Sequence, residues 1–221
     1  MKKSYVFIGA HPDDIEIGCG GTVLKLLSEG HHCEFIVVTK GDQGSLTHSP
    51  TELTKIREKE ARESAKLLGV ENIHFMHLDD GLGGVQRKDK IALIKLIRTI
   101  RPYGAFIHSS TDHHPDHEII HRLCLAAIGS SSGPWFPEGG DKPHSVSEIY
   151  GYEVWNTINR VQLTVDITPH LEKKLQALAL HKSQIEDFPY MDAVKGLSTY
   201  RGAINGGGNA EVFEVISTQL K

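Results

Sequence analysis

Strand-like and helix-like segments alternate four times over the first 128 residues, and this alternation restricts the chain to few folds. Four apolar runs rich in β-branched and aromatic residues predict strands at 5–10, 33–39, 72–78 and 103–108. Each run is followed by a segment with helical character, at 18–29, 49–68, 88–100 and 116–128. Because strands joined through helices pair in parallel, we expect an α/β, Rossmann-like fold with a mostly parallel sheet and helices on both faces.

The last third of the chain departs from this alternation. A long glycine- and serine-rich loop spans 129–147, and its composition does not reveal its role. It is followed by strands near 148–155 and 161–167, a helix at 169–185 and a final strand after the glycines at 206–208. No segment resembles a linker, so we expect residues 1–221 to form a single domain.

Charge and cysteine content exclude several classes of protein. The net charge of −4 and the pI near 6.4 give no electrostatic reason to expect a nucleic-acid partner. No apolar run approaches the length of a membrane span. Three scattered cysteines without a C-x-x-C pair predict neither a disulfide framework nor a thiolate zinc site. We therefore expect a cytoplasmic protein, and the sequence leaves open whether it forms a homo-oligomer.

Two polar motifs follow the first and fourth predicted strands. AHPDDIEIGCGG occupies residues 10–21 and TDHHPDHEIIH occupies residues 111–121. Ligands of open parallel sheets bind beyond the carboxyl ends of the strands, so both motifs should face one crevice. His11 and either Asp13 or Asp14 could supply two metal ligands there. The candidates for a third ligand are His113, His114, His117 and His121.

The types of ligand in these motifs favour zinc. Catalytic zinc sites take three protein ligands and leave a position for water or substrate, and histidine and carboxylate suit that role. Fe²⁺ or Mn²⁺ would also accept these ligands. Spacings of four could place His113 or His121 beside His117 on one helical face, although Pro115 makes the first of these contacts unfavourable.

The pairing of AHPDDIEIGCGGT with DHHPDHEIIH resembles the PIG-L/LmbE-type metal-dependent de-N-acetylases. The resemblance extends along nearly the whole chain and is weakest over 129–147. Its further parts are REKEA at 57–61, LGV at 68–70, HKSQ at 181–184, RG at 201–202 and AEVF at 210–213. Ile15 departs from the family motif, in which many members have glutamate directly after the two aspartates, and the acid here is Glu16. The resemblance implies a hydrolase that removes acetyl from a small molecule or conjugate containing N-acetylglucosamine.

The resemblance also implies roles for single residues. Asp13 matches the general base that takes a proton from the attacking water. His114 matches the residue that stabilises the oxyanion and protonates the leaving amine, and Asp116 matches the carboxylate that orients its ring. An imidazole that donates a hydrogen bond to an aspartate has a raised pKa, so we expect His114 to be protonated. The metal ligands implied are His11, Asp14 and His117.

Two residues are candidates for binding the substrate. Arg57 could reach a substrate oxygen or the acetate product, or it could be a surface arginine on a charged helix. Trp135, in the 129–147 loop, could stack on a sugar or an aglycone, or it could pack the loop, as could Phe136 and Trp155. The GCGG glycines could cradle a phosphate, but the incomplete G-x-G-x-x-G pattern favours close helix packing.

Two alternative functions remain at this point. One is a metal hydrolase of a different amide or of an ester. The other is a non-catalytic, metal-containing module that binds sugar without turnover. Asp13 argues against the second alternative, because a binding site has no use for an unligated carboxylate beside the metal.

Overall fold

The computed structural model describes residues 1–140, 142–186 and 188–218, and its seven strands form one sheet. The strands are β1 (Ser4–Gly9), β2 (His32–Thr39), β3 (Asn72–Leu78), β4 (Gly104–His108), β5 (Glu148–Tyr152), β6 (Leu163–Asp166) and β7 (Ala210–Thr218). Their order in the sheet is β3-β2-β1-β4-β5-β7-β6. Strands β1 to β5 are parallel, and β7 is antiparallel to both of its neighbours. The predicted mostly parallel α/β sheet is confirmed.

Helices cover both faces of the sheet, as predicted. They are α1 (Asp14–Ser28), α2 (Pro50–Leu68), α3 (Arg87–Ile100), α4 (Pro115–Ser131), α5 (Leu171–Leu178), α6 (Lys182–Ile185) and α7 (Tyr190–Ile204). Side chains alternate along β1, so Val6 and Ile8 pack with α3 and α4 on one face. Tyr5 and Phe7 pack with α1, α2 and α5 on the other face. The strand is therefore buried on both sides, as its continuous apolar sequence requires.

Helix α2 follows its sequence signals closely. The Ser49 hydroxyl accepts from the backbone N–H of Glu52, and the Glu52 carboxylate accepts from the backbone N–H of Ser49. Gly69 ends the helix in the left-handed region at φ 98°, a conformation that suits glycine. A capping box therefore begins α2 and a glycine ends it, within the predicted range 49–68.

The predicted helix at 169–185 is interrupted, and this prediction was wrong in its extent. Helix α5 ends at Leu178 and α6 begins only at Lys182. Between them the backbone of His181 leaves the helical region, at φ −80° and ψ 58°, and its side chain is fully buried beside Glu16 of α1. Tertiary packing has overridden a continuous helical pattern here. Helix α7 was not predicted from the sequence.

The GCGG segment is a kink within α1. Cys19 leaves the helical region, with φ −148°, and the next backbone N–H groups lose their helical partners. The Glu211 carboxylate of β7 accepts from Gly21 N at 2.8 Å and Thr22 N at 2.7 Å, and Lys174 donates to it at 2.7 Å. A Cβ on Gly21 would lie 2.7 Å from Ile167. The glycines therefore serve packing, and a protein carboxylate occupies the place that a phosphate would take.

The 129–147 loop is shorter than expected, because α4 continues to Ser131. The guanidinium of Arg98, on α3, donates to the carbonyl oxygens of Gly133 at 2.8 Å, Trp135 at 2.7 Å and Phe136 at 3.0 Å. This loop therefore packs against α3, at the opposite end of α4 from the histidine motif. The 17 residues of α4 place the two ends of the helix about 25 Å apart.

The cysteines and the apolar content of the helices are the last two features of the fold. Cys19, Cys33 and Cys124 are all buried and free, in agreement with the absence of a disulfide framework. Within the described residues, none of the helices has both the length and the apolar character needed to cross a bilayer.

Candidate metal centre and active site

The two polar motifs meet beyond the carboxyl ends of β1 and β4, which are neighbours in the sheet. His11, Asp13 and Asp14 lie in the turn from β1 into α1, and Asp14 is the first residue of that helix. His114 caps the start of α4, and His117 lies in its first turn. Asp13, Asp14 and His117 are all buried, so charged groups converge where solvent cannot screen them.

Three predicted donors have the mutual spacing of ligands around one ion. His117 Nε2 lies 3.2 Å from His11 Nδ1 and 3.3 Å from Asp14 Oδ1. His11 Nδ1 lies 3.4 Å from Asp14 Oδ2. Ligand atoms held 2.0–2.1 Å from a tetrahedral zinc ion are about 3.3–3.4 Å apart, which is close to these distances. The three side chains could therefore hold one ion with little movement.

Carboxylates hold the outer nitrogens of both histidines. His117 Nδ1 donates to Asp112 Oδ2 at 3.0 Å. His11 Nε2 lies 2.9 Å from Asp80 Oδ1 and 3.2 Å from Asp116 Oδ2. A proton on each outer nitrogen leaves the inner nitrogen with a free lone pair, which is the tautomer that a metal ligand needs.

The buried carboxylate of Asp14 and the imidazole rings around it shift one another's pKa values. Burial alone would raise the pKa of the Asp14 carboxyl, but the rings of His117, His108 and His11 hold it well below its usual value. Burial would lower the pKa of His117, but Asp14 and the hydrogen bond to Asp112 raise it to about 9. A buried anion surrounded by basic nitrogens is an environment in which a cation can replace protons.

Several other side chains lie near the three donors, and for one of them, His108, hydrogen bonding and ring packing argue against a role as a ligand. Overlapping sets of donors that also include His108, His114, Asp80 and Asp116 lie within 4.8 Å of one another. The Nε2 atom of His108 already accepts the N–H of Ala10 at 2.9 Å, and its ring stacks on His117 at 3.8 Å between centroids. Burial, followed by repulsion from His117, lowers the pKa of His108 to about 4, so this ring is neutral packing behind the centre.

Of the three other candidates for the third ligand, His114 lies at the wall of the cavity, and the remaining two face elsewhere. The ring of His121 bonds through Nδ1 to the carbonyl oxygen of His108 at 2.8 Å. His113 is exposed, with 74% of its side chain accessible. His117 is thus the histidine of the second motif that points at His11 and Asp14.

Asp13 lies beside the three donors and is tied to Arg57. The Arg57 guanidinium donates to Asp13 Oδ1 at 3.2 Å and to the carbonyl oxygen of Gly41 at 2.9 Å. Arg57 is only 4% exposed, so the prediction of a surface arginine is excluded. Its charge compensates the buried carboxylate of Asp13, next to a cavity that both residues line.

This catalytic cavity has a volume of about 310 Å³ and opens over the candidate metal ligands. It is bounded by Gln43 and Gly44 after β2, Asp80 and Gly81 after β3, and Trp155, Gln184 and Tyr190. Burial, with the charges of Asp13 and Asp14, raises the pKa of Tyr190 to about 12, so its hydroxyl stays protonated at neutral pH. Metal donors, an unligated carboxylate and a small cavity together are the elements of a hydrolytic centre.

Comparison with known proteins assigns this arrangement to a family. Residues 6–128 match the family described as PIG-L: GlcNAc-PI de-N-acetylase. The chain belongs to the PIG-L family. It is 30% identical over 224 residues to the diacetylchitobiose deacetylase of Thermococcus kodakarensis, with 95% of this chain and 81% of that protein covered. The resemblance inferred from the two motifs is confirmed.

Solved structures similar to this PIG-L family chain include more than deacetylases. The N,N'-diacetylchitobiose deacetylase from Pyrococcus horikoshii is 30% identical, with a TM-score of 0.87 over 97% of this chain and 84% of that chain. The 4-carboxy-2-hydroxymuconate hydratase GalB from Pseudomonas putida has a TM-score of 0.89 at 18% identity, with 100% of this chain and 98% of that chain covered. The second likeness concerns the fold alone, so the reaction must be argued from the site.

One role implied by the PIG-L resemblance requires correction. Asp116 was expected to orient His114, but its Oδ2 lies 3.2 Å from His11 Nε2 and it also accepts the N–H groups of Gly81 and Leu82. Burial, with repulsion from His117 and His11, lowers the pKa of His114, whose buried Nδ1 has no hydrogen-bond partner among the described residues. The direction of this pKa shift disfavours the histidinium that was expected at His114.

Trp135, the aromatic residue predicted to contact the substrate, lies away from the cavity. Trp135 is 58% exposed in the loop held by Arg98, and it is not among the residues that line the catalytic cavity. Its position at the far end of α4 removes the basis for a substrate contact. Trp155 lines the cavity instead, with its ring stacked 6.5 Å from that of His114. The sequence had offered Trp155 only as an equal alternative.

Three further residues of the site were not identified from the sequence. Asp112 and His108 lie in or next to the histidine-rich segment, where their proximity to the ligands was a usable signal. Asp80 is the second residue of the loop after β3, at the same edge of the sheet as the two motifs. The rule that ligands bind beyond strand ends could have included it.

Proposed function

We propose that this protein is a metal-dependent hydrolase that removes the N-acetyl group from a small molecule or conjugate containing N-acetylglucosamine. One observation carries the proposal: His11, Asp14 and His117 are spaced as ligands of one ion beside an unligated, buried carboxylate, Asp13. The names of relatives, diacetylchitobiose deacetylase among them, support an acetylated amino sugar as the substrate. We place this reaction in the cytoplasm, in keeping with the three free cysteines.

The donor set indicates which ion fits. Two imidazole nitrogens and a carboxylate oxygen at tetrahedral spacing suit Zn²⁺, and Fe²⁺ or Mn²⁺ would accept the same atoms. Zinc would supply a Lewis acid for the acetamide carbonyl and would lower the pKa of water to about 7.

Asp13 is the proposed general base. Its carboxylate lines the catalytic cavity next to Asp14, and the Arg57 guanidinium holds one of its oxygens. An ionised carboxylate held in this way can accept a proton from water and deliver it to the leaving amine. Arg57 thus has a positioning role on Asp13, which differs from the direct substrate contact considered from the sequence.

His114 is the proposed hydrogen-bond donor to the developing oxyanion. Its ring lies edge-on to that of His11, with centroids 5.1 Å apart, at the wall of the cavity. Because its pKa is lowered, the neutral ring would donate an N–H rather than a full positive charge. A preorganised neutral donor still stabilises negative charge that appears only in the transition state.

The experiment that tests the function is release of acetate from a panel of substrates by the purified protein, together with release of free amine from the substrates that are amides. The panel contains N-acetylglucosamine, N,N'-diacetylchitobiose, an O-acetyl ester of glucose and an N-acetylated amino acid. We expect amine release from the amino sugars, its loss with a chelator and its recovery with added zinc. Faster turnover of the ester or of the amino acid would assign the centre to another bond. Binding of amino sugar without turnover would favour the non-catalytic alternative.

A further inference from the structure

A second cavity adjoins the catalytic cavity and is lined only by apolar and aromatic side chains. It has a volume of about 200 Å³ and lies between the start of α1, the segment after β5 and the start of α7. It shares Ile17, Trp155 and Tyr190 with the catalytic cavity, so these three residues form the boundary between the two. We call it the apolar cavity. Its other lining residues are Val154, Phe188, Ala193, Val194 and Leu197.

Three aromatic rings form the rim of the apolar cavity. The centroid of Phe188 lies 5.8 Å from that of Trp155 and 4.7 Å from that of Tyr190, and Trp155 lies 5.7 Å from Tyr190. Trp155 is 45% exposed and Phe188 is 46% exposed, although both are large apolar side chains. Burial of apolar surface contributes about 25 cal/mol of favourable free energy for each Å² removed from water, and the exposed parts of these rings do not make that contribution. A ligand that covers these rings would recover that energy.

The segment that carries Trp155 is fixed by hydrogen bonds and an ion pair. The backbone N–H of Trp155 donates to Asp112 Oδ2 at 3.1 Å, the same oxygen that holds His117. The buried carboxylate of Glu153 is paired with Arg201 of α7, which also donates to the carbonyl oxygen of Ile158 at 2.9 Å. A rigid apolar surface loses little entropy on binding, as a binding site requires.

We propose that the apolar cavity binds an aryl or short alkyl group attached to the anomeric carbon of the amino sugar. This inference rests on the proposed function and specifies its substrate class. The anomeric carbon is directly bonded to the carbon that bears the acetamide, so a group attached there lies next to the reacting centre. The ring centroids of His114 and Trp155 are 6.5 Å apart. The aromatic rim of the apolar cavity is therefore likewise next to the residues proposed to act on the acetamide.

The chemistry of the lining distinguishes an apolar aglycone from other occupants. A second sugar would bring several hydroxyl groups against side chains that offer few hydrogen-bonding atoms, at a cost in desolvation. A cavity of about 150 Å³ suffices for benzene, so about 200 Å³ accommodates one aromatic ring or a short alkyl chain. The rim of the apolar cavity is half exposed, so a group that projects away from the sugar can extend through it into solvent. The acyl group of the amide does not need such an opening.

The kinetic test compares free N-acetylglucosamine with its phenyl β-glycoside. In the wild type we expect kcat/KM to be about tenfold higher for the phenyl glycoside, mainly through a lower KM, because binding at a remote contact is uniform along the reaction. Phe188→Ala should reduce this ratio to near one. Trp135→Ala is the matched control, since it removes an exposed aromatic outside both cavities, and it should leave the ratio unchanged.

A binding test separates this inference from the proposed function. The chain has two tryptophans, so in a Trp135→Phe protein the fluorescence reports on Trp155 alone. Phenyl β-D-glucopyranoside, which has no acetamide, should change that fluorescence at concentrations where methyl β-D-glucopyranoside does not, and Phe188→Ala should abolish the change. If no amine is released from any substrate but this change occurs, the proposed function fails while the apolar cavity stands.

Two results would overturn the inference. One is a substrate ratio that Phe188→Ala leaves at its wild-type value. The other is a preference for N-hexanoylglucosamine over N-acetylglucosamine that Phe188→Ala removes, since the cavity would then hold the acyl chain.

Discussion

At the scale of single residues, the hydrogen bonds of Asp112 link the metal centre to the substrate platform. Its Oδ2 accepts from His117 Nδ1 and from the backbone N–H of Trp155, and its Oδ1 accepts from the backbone N–H of His114 at 3.1 Å. Three donors thus converge on two carboxylate oxygens. An amide in its place has a single acceptor oxygen and cannot serve all three.

We therefore predict that Asp112→Asn weakens zinc binding by about 10- to 100-fold, the range typical of residues that support a metal-bound histidine. The measurement is competition with a chelating dye of known affinity. Asp79→Asn is the control, because Asp79 is an exposed carboxylate paired with Lys40 and should leave the affinity unchanged. Unaltered zinc affinity in Asp112→Asn would mean that His117 does not depend on this carboxylate.

A second prediction separates binding from chemistry. Asp13→Asn should retain zinc at wild-type stoichiometry and lose about 10²- to 10⁴-fold in kcat, since the amide cannot accept a proton. The measurements are metal analysis and amine release on the same sample. His117→Ala is the contrasting variant, and it should lose metal and activity together. Activity near the wild-type level in zinc-loaded Asp13→Asn would remove Asp13 from the reaction.

At this scale the sequence predicted the candidate ligands that the structure brings together, and it missed the residues that hydrogen-bond to them. His11, Asp14 and His117 lie in two short motifs whose place after strands could be read from the apolar runs. The partners of Asp116 and the contribution of Asp80 depend on how the loop after β3 folds back over the centre. No periodicity encodes the path of such a loop.

At the scale of elements, α1 depends on an ion pair that lies behind the metal site. Lys174 of α5 and Glu211 of β7 are both buried, and together they hold the kink after Cys19. Removing one partner of a buried pair leaves an uncompensated charge, which typically costs about 3–5 kcal/mol.

Lys174→Met should accordingly lower the free energy of unfolding by about 3–5 kcal/mol, as measured by denaturant titration. Lys173→Met is the matched control, because Lys173 is the exposed neighbour on the same helix and its loss should change stability by less than about 0.5 kcal/mol. Equal stabilities of the two variants would show that the Glu211 carboxylate is satisfied by its backbone donors alone.

Two glycines in helices should respond to alanine in opposite directions. A Cβ on Gly18 of α1 would lie 2.6 Å from the carbonyl oxygen of Glu153, so Gly18→Ala should destabilise the protein by about 1–3 kcal/mol. A Cβ on Gly196 of α7 would have no packing neighbour within 4 Å, so Gly196→Ala should stabilise by about 0.4–1 kcal/mol. Thermal melts of both proteins test this pair, and a shift of the same sign in both would contradict it.

The elements themselves were largely predictable, because most are local. The strands of the parallel sheet and helices α2 to α4 carry apolar periodicity, caps and stops within their own sequence. The break between α5 and α6 is different, since it depends on the fit of His181 against Glu16, far away in sequence. Helix α7 has no side-chain cap at its start, so a common signal for its beginning was missing.

At the scale of the whole molecule, metal binding should raise the free energy of unfolding. The candidate ligands come from the turn between β1 and α1, from the first residue of α1 and from the first turn of α4, and these two helices lie on opposite faces of the sheet. An ion that binds only the folded chain adds about 2.7 kcal/mol when its concentration is 100 times its Kd.

For a chain of this size, such a gain corresponds to a rise in Tm of about 5–10 °C. We predict a shift of this order when zinc is added to chelator-treated protein, and none in His11→Ala. Differential scanning calorimetry measures both without any substrate. A rise of equal size in His11→Ala would place the ion at another site.

The bond between residue 155 and Asp112 has a consequence for how substrate preference can change in descendants of this protein. The bond uses the backbone N–H of Trp155, and any residue except proline retains that group. The indole itself, in contrast, faces the proposed aglycone. Substitutions at position 155 can therefore alter which substrate is accepted while the anchor of the metal-binding histidine persists. The hydrogen bond that supports the candidate ligand His117 is thereby separated from the side chain that we expect to contact the substrate.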